Sequence, residues 1–213
     1  MNIVFDLDGT LIDSAPDIHH AVNAALVGAG LTALPFAQVR TFIGNGAPVL
    51  VERCLAALNA DPAMQAQVLQ GFLDGYSENH AKTVLYPHVF EVLESLQAAG
   101  HALALCTNKP TRATHGALAH FDLTRFFPVV VGGDTLPRRK PDAAPLLHAL
   151  AQLPAAPALF VGDSEVDAAT AKAANIPFAL YTEGYRKTPA EDMNAQNIFN
   201  DFRQLLAIVD AST

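Results

Sequence analysis

The sequence predicts an α/β fold in which a parallel sheet is covered by helices on both faces and an all-helical block is inserted after the first strand. Three observations carry this reading. Short continuous apolar runs recur along the chain, helical patterns separate them, and the rhythm breaks once, between residues 15 and 84. Uninterrupted apolar strands alternating with amphipathic helices mark βα units buried on both faces. The expected division is a core from 1–14 and 85–213 and a helical cap from 15–84.

The elements follow in order. Residues 2–6 (NIVFD) form an apolar run ending in a carboxylate, which predicts a buried strand. Further strands are expected at 102–106 (ALALC), 128–132 (PVVVG) and 158–162 (ALFVG), with a weaker one at 177–181 (PFALY). Helices are expected near 88–99, 111–121, 142–153 and 165–174, and DFRQLLAIVD near the end reads as a last helix docked on the core. The interval 15–84 instead reads as helices near 17–29, 36–42, 47–59 and 62–81. Gly30, Pro35, Gly44-Asn45-Gly46 and Asp61-Pro62 separate them. An all-helical block between the first two strands of a parallel sheet is an inserted subdomain, bordered near Ala15-Pro16 and Tyr86-Pro87.

Composition narrows the function. The 213 residues are 51% hydrophobic and 16% charged, with a mean hydropathy of +0.22, so the chain can bury a sizeable core and is not disordered. The formal net charge is −8 with no Lys/Arg-rich run, which argues against nucleic acid or an anionic membrane surface as partner. The N-terminus MNIVFDLDGT is neither basic nor long enough in its apolar stretch for a signal peptide, and no run reaches membrane-span length. Cys54 and Cys106 read as reduced thiols, so a cytoplasmic location is expected. The eight histidines show no ligand spacing, and no His-bound metal is assigned.

Four polar signals stand where the expected strands end: Asp6-Leu7-Asp8-Gly9-Thr10, Cys106-Thr107-Asn108-Lys109, Lys140-Pro141, and Gly162-Asp163-Ser164-Glu165-Val166-Asp167. In open α/β sheets the ligand crevice lies beyond the carboxyl ends of the strands, so these segments are expected to converge. Asp6, Asp8 and Asp163 brought together repel unless a cation joins them, and an oxygen-rich pocket beside a phosphate suits Mg²⁺. Lys140 and the Thr107 hydroxyl supply donors to a tetrahedral anion, and Gly9 lets the backbone turn tightly beside it. Together they describe a phosphoryl-transfer site. GDSEVD also reads as a helix start, with Ser164 as N-cap and acids at the positive end of the dipole.

The four segments, in this order, resemble the four motifs of the haloacid dehalogenase superfamily: DLDGTLIDS the first, Thr107 the second, Lys140 the third and GDSEVD the fourth. DSAPDI at 13–18, FIGNGAPVL at 42–50, TNKPT at 107–111, VVGGD at 130–134 and EGYRKTP at 183–189 resemble that superfamily's phosphoglycolate phosphatase branch. The resemblance implies a Rossmann-like three-layer core with a helical cap. It implies that Asp6 is the nucleophile and Asp8 the general acid and base. Thr107 and Asn108 would hold phosphoryl oxygens, and Lys140 would neutralise Asp6 and the phosphoryl group. Asp6, the Asp8 carbonyl and Asp163 would bind Mg²⁺, supported by Asp167, Ser164 and Thr10.

Substrate choice is expected to rest with the cap. There Gly44-Asn45-Gly46 offers backbone N–H groups to an anion, with a plain turn as the alternative. Arg53 is a candidate for a substrate carboxylate, an exposed ion pair being its alternative. Tyr185 and Arg186 are weaker candidates at the mouth. The chain departs from the branch pattern at His88, where Gly is expected, at Ala143 (Pro) and at Val166 (Asn). The expected substrate is a small phosphorylated metabolite, 2-phosphoglycolate first, handled by a monomer or homodimer. A sugar phosphatase or a β-phosphoglucomutase-like isomerase is the alternative enzyme, and an interaction protein on a retired core the non-enzyme one. Asp8 argues against a dehalogenase.

Overall fold

The computed structural model describes residues 1–76 and 80–211. In chain order the elements are β1 (Asn2–Phe5), β2 (Ile12–Asp13), α1 (Ala15–Gly28), α2 (Phe36–Arg40), α3 (Ala47–Ala57), α4 (Gln65–Tyr76), β3 (Val84–Leu85) and α5 (Val89–Ala98). Then come β4 (Ala102–Cys106), α6 (Thr111–His120), β5 (Val129–Val131), α7 (Ala144–Leu150), β6 (Ala158–Gly162), α8 (Glu165–Ala174), β7 (Phe178–Tyr181), β8 (Asn197–Phe199) and α9 (Gln204–Ala211). Six strands form one sheet in the order β5-β4-β1-β6-β7-β8, with every neighbouring pair parallel. Connections run outward in both directions from β1. The switch point, where an α/β sheet opens a crevice, therefore lies at the carboxyl ends of β1, β4 and β6.

Strand alternation divides the core into two layers. Ile3, Phe5, Leu103, Leu105, Leu159 and Val161 face a cluster completed by Val92, Leu93, Leu96, Leu205 and Val209 from α5 and α9. Val4, Ala104, Cys106 and Phe160 face the opposite cluster, with Leu146 and Ala149 of α7 and Ala171 of α8. Burying both faces explains why these strands read as continuous apolar runs rather than alternating ones. Cys54 and Cys106 are free and buried.

The helices between 15 and 76 build a third cluster of their own, with Ile18, Val22 and Leu26 of α1 packed against Val68, Phe72 and Tyr76 of α4. Among the described residues of the rest of the chain, only Ala113 and Tyr185 join its buried residues. The chain leaves and returns through two short strands, β2 and β3, paired antiparallel with Ile12 opposite Leu85 and Asp13 opposite Val84. Among the described residues no helix is long and apolar enough to cross a membrane.

The expected strands all form. Two strand features were not read from the sequence: the β2–β3 pair, too short to show a period, and β8, a three-residue edge strand (Asn197–Phe199) flanked by Gln196 and Asn200, in which Ile198 is exposed. The helix expected over 62–81 begins as a 3-10 turn at Pro62–Met64 and continues as α4 to Tyr76; residues 77–79 of that stretch lie outside the described ones.

Candidate active site

Phe5, the last residue of β1, pairs with both Leu105 and Val161, and β4 and β6 run one residue further, to Cys106 and Gly162. Asp6, Thr107 and Asp163 each follow the last residue of their strand, with Thr107 and Asp163 one residue beyond the level of Asp6, so all three emerge at the carboxyl edge of the sheet. The Asp6 N–H still donates to the Val161 carbonyl at 2.9 Å and the Thr107 N–H to Val131 at 2.9 Å, so the last rungs of the sheet fix both backbones.

Asp6 lies 3.0 Å (Oδ1) from the Lys140 ammonium. Lys140 is 2% exposed and bonds Asp167 Oδ1 at 2.6 Å. Burial alone would drive the Lys140 proton off, but Asp167 and Asp6 outweigh it and hold the ammonium above its ordinary range. Burial pushes the Asp6 carboxyl up to about 7, against the pull of Lys140 and with the charge of Asp167 adding to the rise. Asp6 Oδ1 is close to Lys140 by distance, yet it is buried without a well-aligned hydrogen bond.

Asp163 is 1% exposed. Its Oδ1 accepts from the Thr10 hydroxyl at 2.8 Å and its Oδ2 from the Tyr185 N–H at 2.6 Å. Burial, then the charges of Asp167 and Asp6, hold its carboxyl well above the usual range. Gly9, at φ +87°, passes so close that a Cβ there would fall 2.4 Å from Asp163 Oδ2. Asp167 starts α8 through a capping box: its carboxylate accepts from the Ser164 N–H at 3.1 Å while Ser164 Oγ accepts from the Asp167 N–H. The helix start read from the sequence and the acid beside Lys140 are thus one arrangement.

Asp6, Asp163 and Asp167 each offer a carboxylate oxygen within 4.8 Å of the others. Of the three, Asp167 is committed to Lys140 and Ser164, whereas Asp6 keeps an unaligned oxygen. Three buried acids around one lysine leave uncompensated negative charge, and hard oxygen donors with an orphaned lone pair fit a divalent cation.

Asp8 Oδ1 accepts from the Ser14 hydroxyl at 2.6 Å and lies 2.9 Å from the Lys109 ammonium. Thr107 Oγ1 accepts from the Lys109 N–H at 3.2 Å, which leaves its own proton to donate elsewhere. Asp6, Asp8, Thr107, Asn108 and Lys109 line one cavity. Gly44, Gly46, Leu50, Phe72 and Tyr76 of the helical insert close its far side.

Several expected roles are placed differently. The Asn108 amide donates to the carbonyls of Gly44 (3.1 Å) and Lys140 (3.0 Å), so its side chain ties the insert to the lysine loop instead of standing free for a phosphoryl oxygen. Gly44 accordingly presents its carbonyl to Asn108. Asn45 lines a separate groove with Pro141, Glu165 and Lys187. Arg53 donates to the Phe42 carbonyl at 3.0 Å and does not line the cavity. The sequence reading did not give Lys109 or Tyr76 a role. Lys109 stood within the second motif, and its position one residue beyond Asn108 was the available signal; Tyr76 gave none, because an aromatic on a helix face reads as core.

A profile described as haloacid dehalogenase-like hydrolase matches residues 3–181, and the chain belongs to that family. Within it, the chain is 47% identical over 206 residues to a phosphoglycolate phosphatase of Cereibacter sphaeroides strain ATCC 17025, covering 95% of this chain and 94% of the relative. It is 43% identical to a phosphoglycolate phosphatase of Pseudomonas syringae pv. syringae, over 96% of this chain and 78% of that one. A solved structure of a predicted phosphoglycolate phosphatase from Haemophilus somnus 129PT superposes with a TM-score of 0.91 at 35% identity, covering 97% and 96% of the two chains.

Proposed function

We propose that this hydrolase is a phosphatase that releases inorganic phosphate from 2-phosphoglycolate through a phosphoryl-enzyme formed on Asp6. The observation that carries the reading is the buried pairing of Asp6 with Lys140 at the mouth of β1, with Asp163 opposite and the Thr107 hydroxyl beside it. The names of the Cereibacter and Pseudomonas relatives support the substrate.

In the first half-reaction an Asp6 carboxylate oxygen attacks phosphorus and the ester P–O bond breaks. Asp8 gives its proton to the departing alkoxide. In the second, water attacks phosphorus, Asp8 takes a proton from it, and the bond to Asp6 breaks. The carboxylate is restored and phosphate leaves. Lys140, fixed by Asp167, balances the charge of Asp6 and of the equatorial oxygens, and Thr107 donates to one of them. Asp6, Asp163 and the Asp8 carbonyl would hold Mg²⁺, with Thr10, Ser164 and Asp167 orienting the acids around it. When bound, the ion supplies positive charge to the phosphoryl oxygens. The residues from 15 to 84 act as a cap that shields this chemistry from solvent, and the reaction belongs to the cytoplasm.

Asp6→Asn tests the reading. It is expected to lower phosphate release by a factor on the order of 10³ or more without unfolding the protein. Retained turnover would remove Asp6 from its role. A screen of small phosphate esters, ranked by kcat/KM, is expected to place 2-phosphoglycolate first; a sugar phosphate in that place would replace the substrate assignment.

A further inference from the structure

The cavity wall opposite the phosphate-binding residues is apolar, made by Ile18, Ile43, Leu50 and Phe72. Lys109, on the sheet side, is the one cation among the described lining residues. Its side chain is 1% exposed, and the ammonium meets Asp8 at 2.9 and 3.3 Å. It also bonds the Tyr76 hydroxyl and lies 4.2 Å from the centre of the Tyr76 ring. Tyr76 comes from the insert and Lys109 from the sheet, so this contact exists only with the two packed together. Burial pushes the Tyr76 phenol up to about 12, so it stays a neutral group.

We infer that Lys109, with the Tyr76 hydroxyl, recognises the substrate's carboxylate and thereby selects phosphate esters that carry one beside the ester carbon. The inference rests on the phosphatase reading above, in which Asp8 reaches the bridging ester oxygen. A general acid meets its target at roughly 2.6–3.2 Å, which puts the Lys109 ammonium within about 6 Å of that oxygen. A carboxylate on the next carbon extends ~3 Å from the bridging oxygen by ordinary bond lengths, and a charge-assisted hydrogen bond of about 2.8 Å spans the remainder. One ammonium and one neutral phenol match a monoanion; a second phosphate dianion would meet too little positive charge. A neutral ester offers the ammonium no anion beyond Asp8. Arg53, the cation the sequence suggested for this task, is committed to the Phe42 carbonyl outside the cavity.

The test compares kcat/KM for 2-phosphoglycolate with that for ethyl phosphate, the neutral ester of the same length, in the wild type, Lys109→Met and Tyr76→Phe. Removing a buried charged hydrogen bond is expected to lower the ratio about 10- to 100-fold in Lys109→Met, and the loss of the phenol several-fold in Tyr76→Phe. Lys109 also braces Asp8, so both substrates slow in Lys109→Met, and the ratio cancels that common loss. A ratio equal to wild type overturns the inference and leaves Lys109 a positioning group for Asp8. A wild type with no preference for 2-phosphoglycolate overturns the substrate reading as well. Preference in the wild type that survives in Lys109→Met overturns this inference alone. If Lys109→Met does not fold, the Tyr76→Phe ratio decides: a fall supports the inference and an unchanged ratio overturns it.

Discussion

Asp6 and Asp163 carry opposing demands. The proposed chemistry requires ionised carboxylates, yet burial raises Asp6 to about 7 and Asp163 well above its ordinary range. In the unfolded chain both titrate near ~3.9. The folded protein without metal therefore binds more protons than the unfolded chain above that pH, and its stability falls as pH rises. His80 and His101, held down by burial, act in the opposite sense below ~6.5, so the carboxylates dominate between pH ~6.5 and ~8. Metal-free protein is expected to melt at a lower temperature at the upper end of that window. Mg²⁺ should raise Tm more there than at the lower end. A chelated sample whose Tm is flat across the window, with no Mg²⁺ response, would mean that these acids hold no cation. Gly9→Ala attacks the same place sterically, because its Cβ would lie 2.4 Å from Asp163 Oδ2 and φ is +87°. Activity is expected to fall at least tenfold, with a lowered Tm. Full activity in a soluble Gly9→Ala protein would show that the Gly9–Asp163 approach is dispensable.

At the scale of the element, helix starts do more than begin helices. α8 opens with the Ser164–Asp167 capping box, and the same Asp167 carboxylate anchors Lys140. Ser164→Ala is expected to cost about 1 kcal/mol of stability from the lost cap and also to slow turnover, since Asp167 loses its 2.6 Å bond to Ser164 Oγ. Stability loss with kcat unchanged would confine Ser164 to capping. α5 begins differently. His88 precedes it at φ 66°, a left-handed conformation that costs a side-chain-bearing residue energy. Its 3.2 Å contact with Glu91 is largely exposed and returns little. Here the departure from the branch's glycine has a physical meaning: the backbone kept the glycine conformation. His88→Gly is expected to stabilise the protein by about 0.5–1 kcal/mol in urea unfolding, with kcat unaltered. Destabilisation would mean that the His88 side chain contributes more than its contacts suggest.

Over the whole molecule, one segment links the insert to the acids. Tyr185 donates its N–H to Asp163, while its hydroxyl accepts from the N–H groups of Ser14 (2.8 Å) and Ala15 (3.0 Å), where α1 begins, and donates to Asp13 (2.8 Å). Arg40 of α2 donates to the Gly184 carbonyl at 2.8 Å and lies over the Tyr185 ring. The insert is thus fastened to the segment that holds Asp163. Arg40→Ala removes one fastening without touching the cavity, and is expected to raise KM several-fold with kcat within about twofold. A fall in kcat with KM unchanged would instead assign Arg40 to the alignment of Asp163. The two short strands β2 and β3 make a narrow connection, and Asp17, 2% exposed, accepts from Lys82 N–H and Thr83 Oγ beside it.

How much of this was legible follows from the range of each cause. The strands were readable because burial on both faces leaves a continuous apolar run, and the polar set because an acid or hydroxyl directly after such a run must sit at a strand's tip. Asp6, Thr107 and Asp163 needed nothing more. β8 was not readable, since an edge strand between polar neighbours carries no periodic signal. Nor could spacing reveal that Asn108 spends its amide on Gly44 and Lys140, that Arg53 turns to the Phe42 carbonyl, or that Tyr76 meets Lys109. Fold class and the inventory of chemical groups were determined by the sequence alone, because both arise from local patterning. Which groups face one another across the cavity was decided by the packing of the insert on the sheet, because that depends on distances between segments that no local pattern encodes.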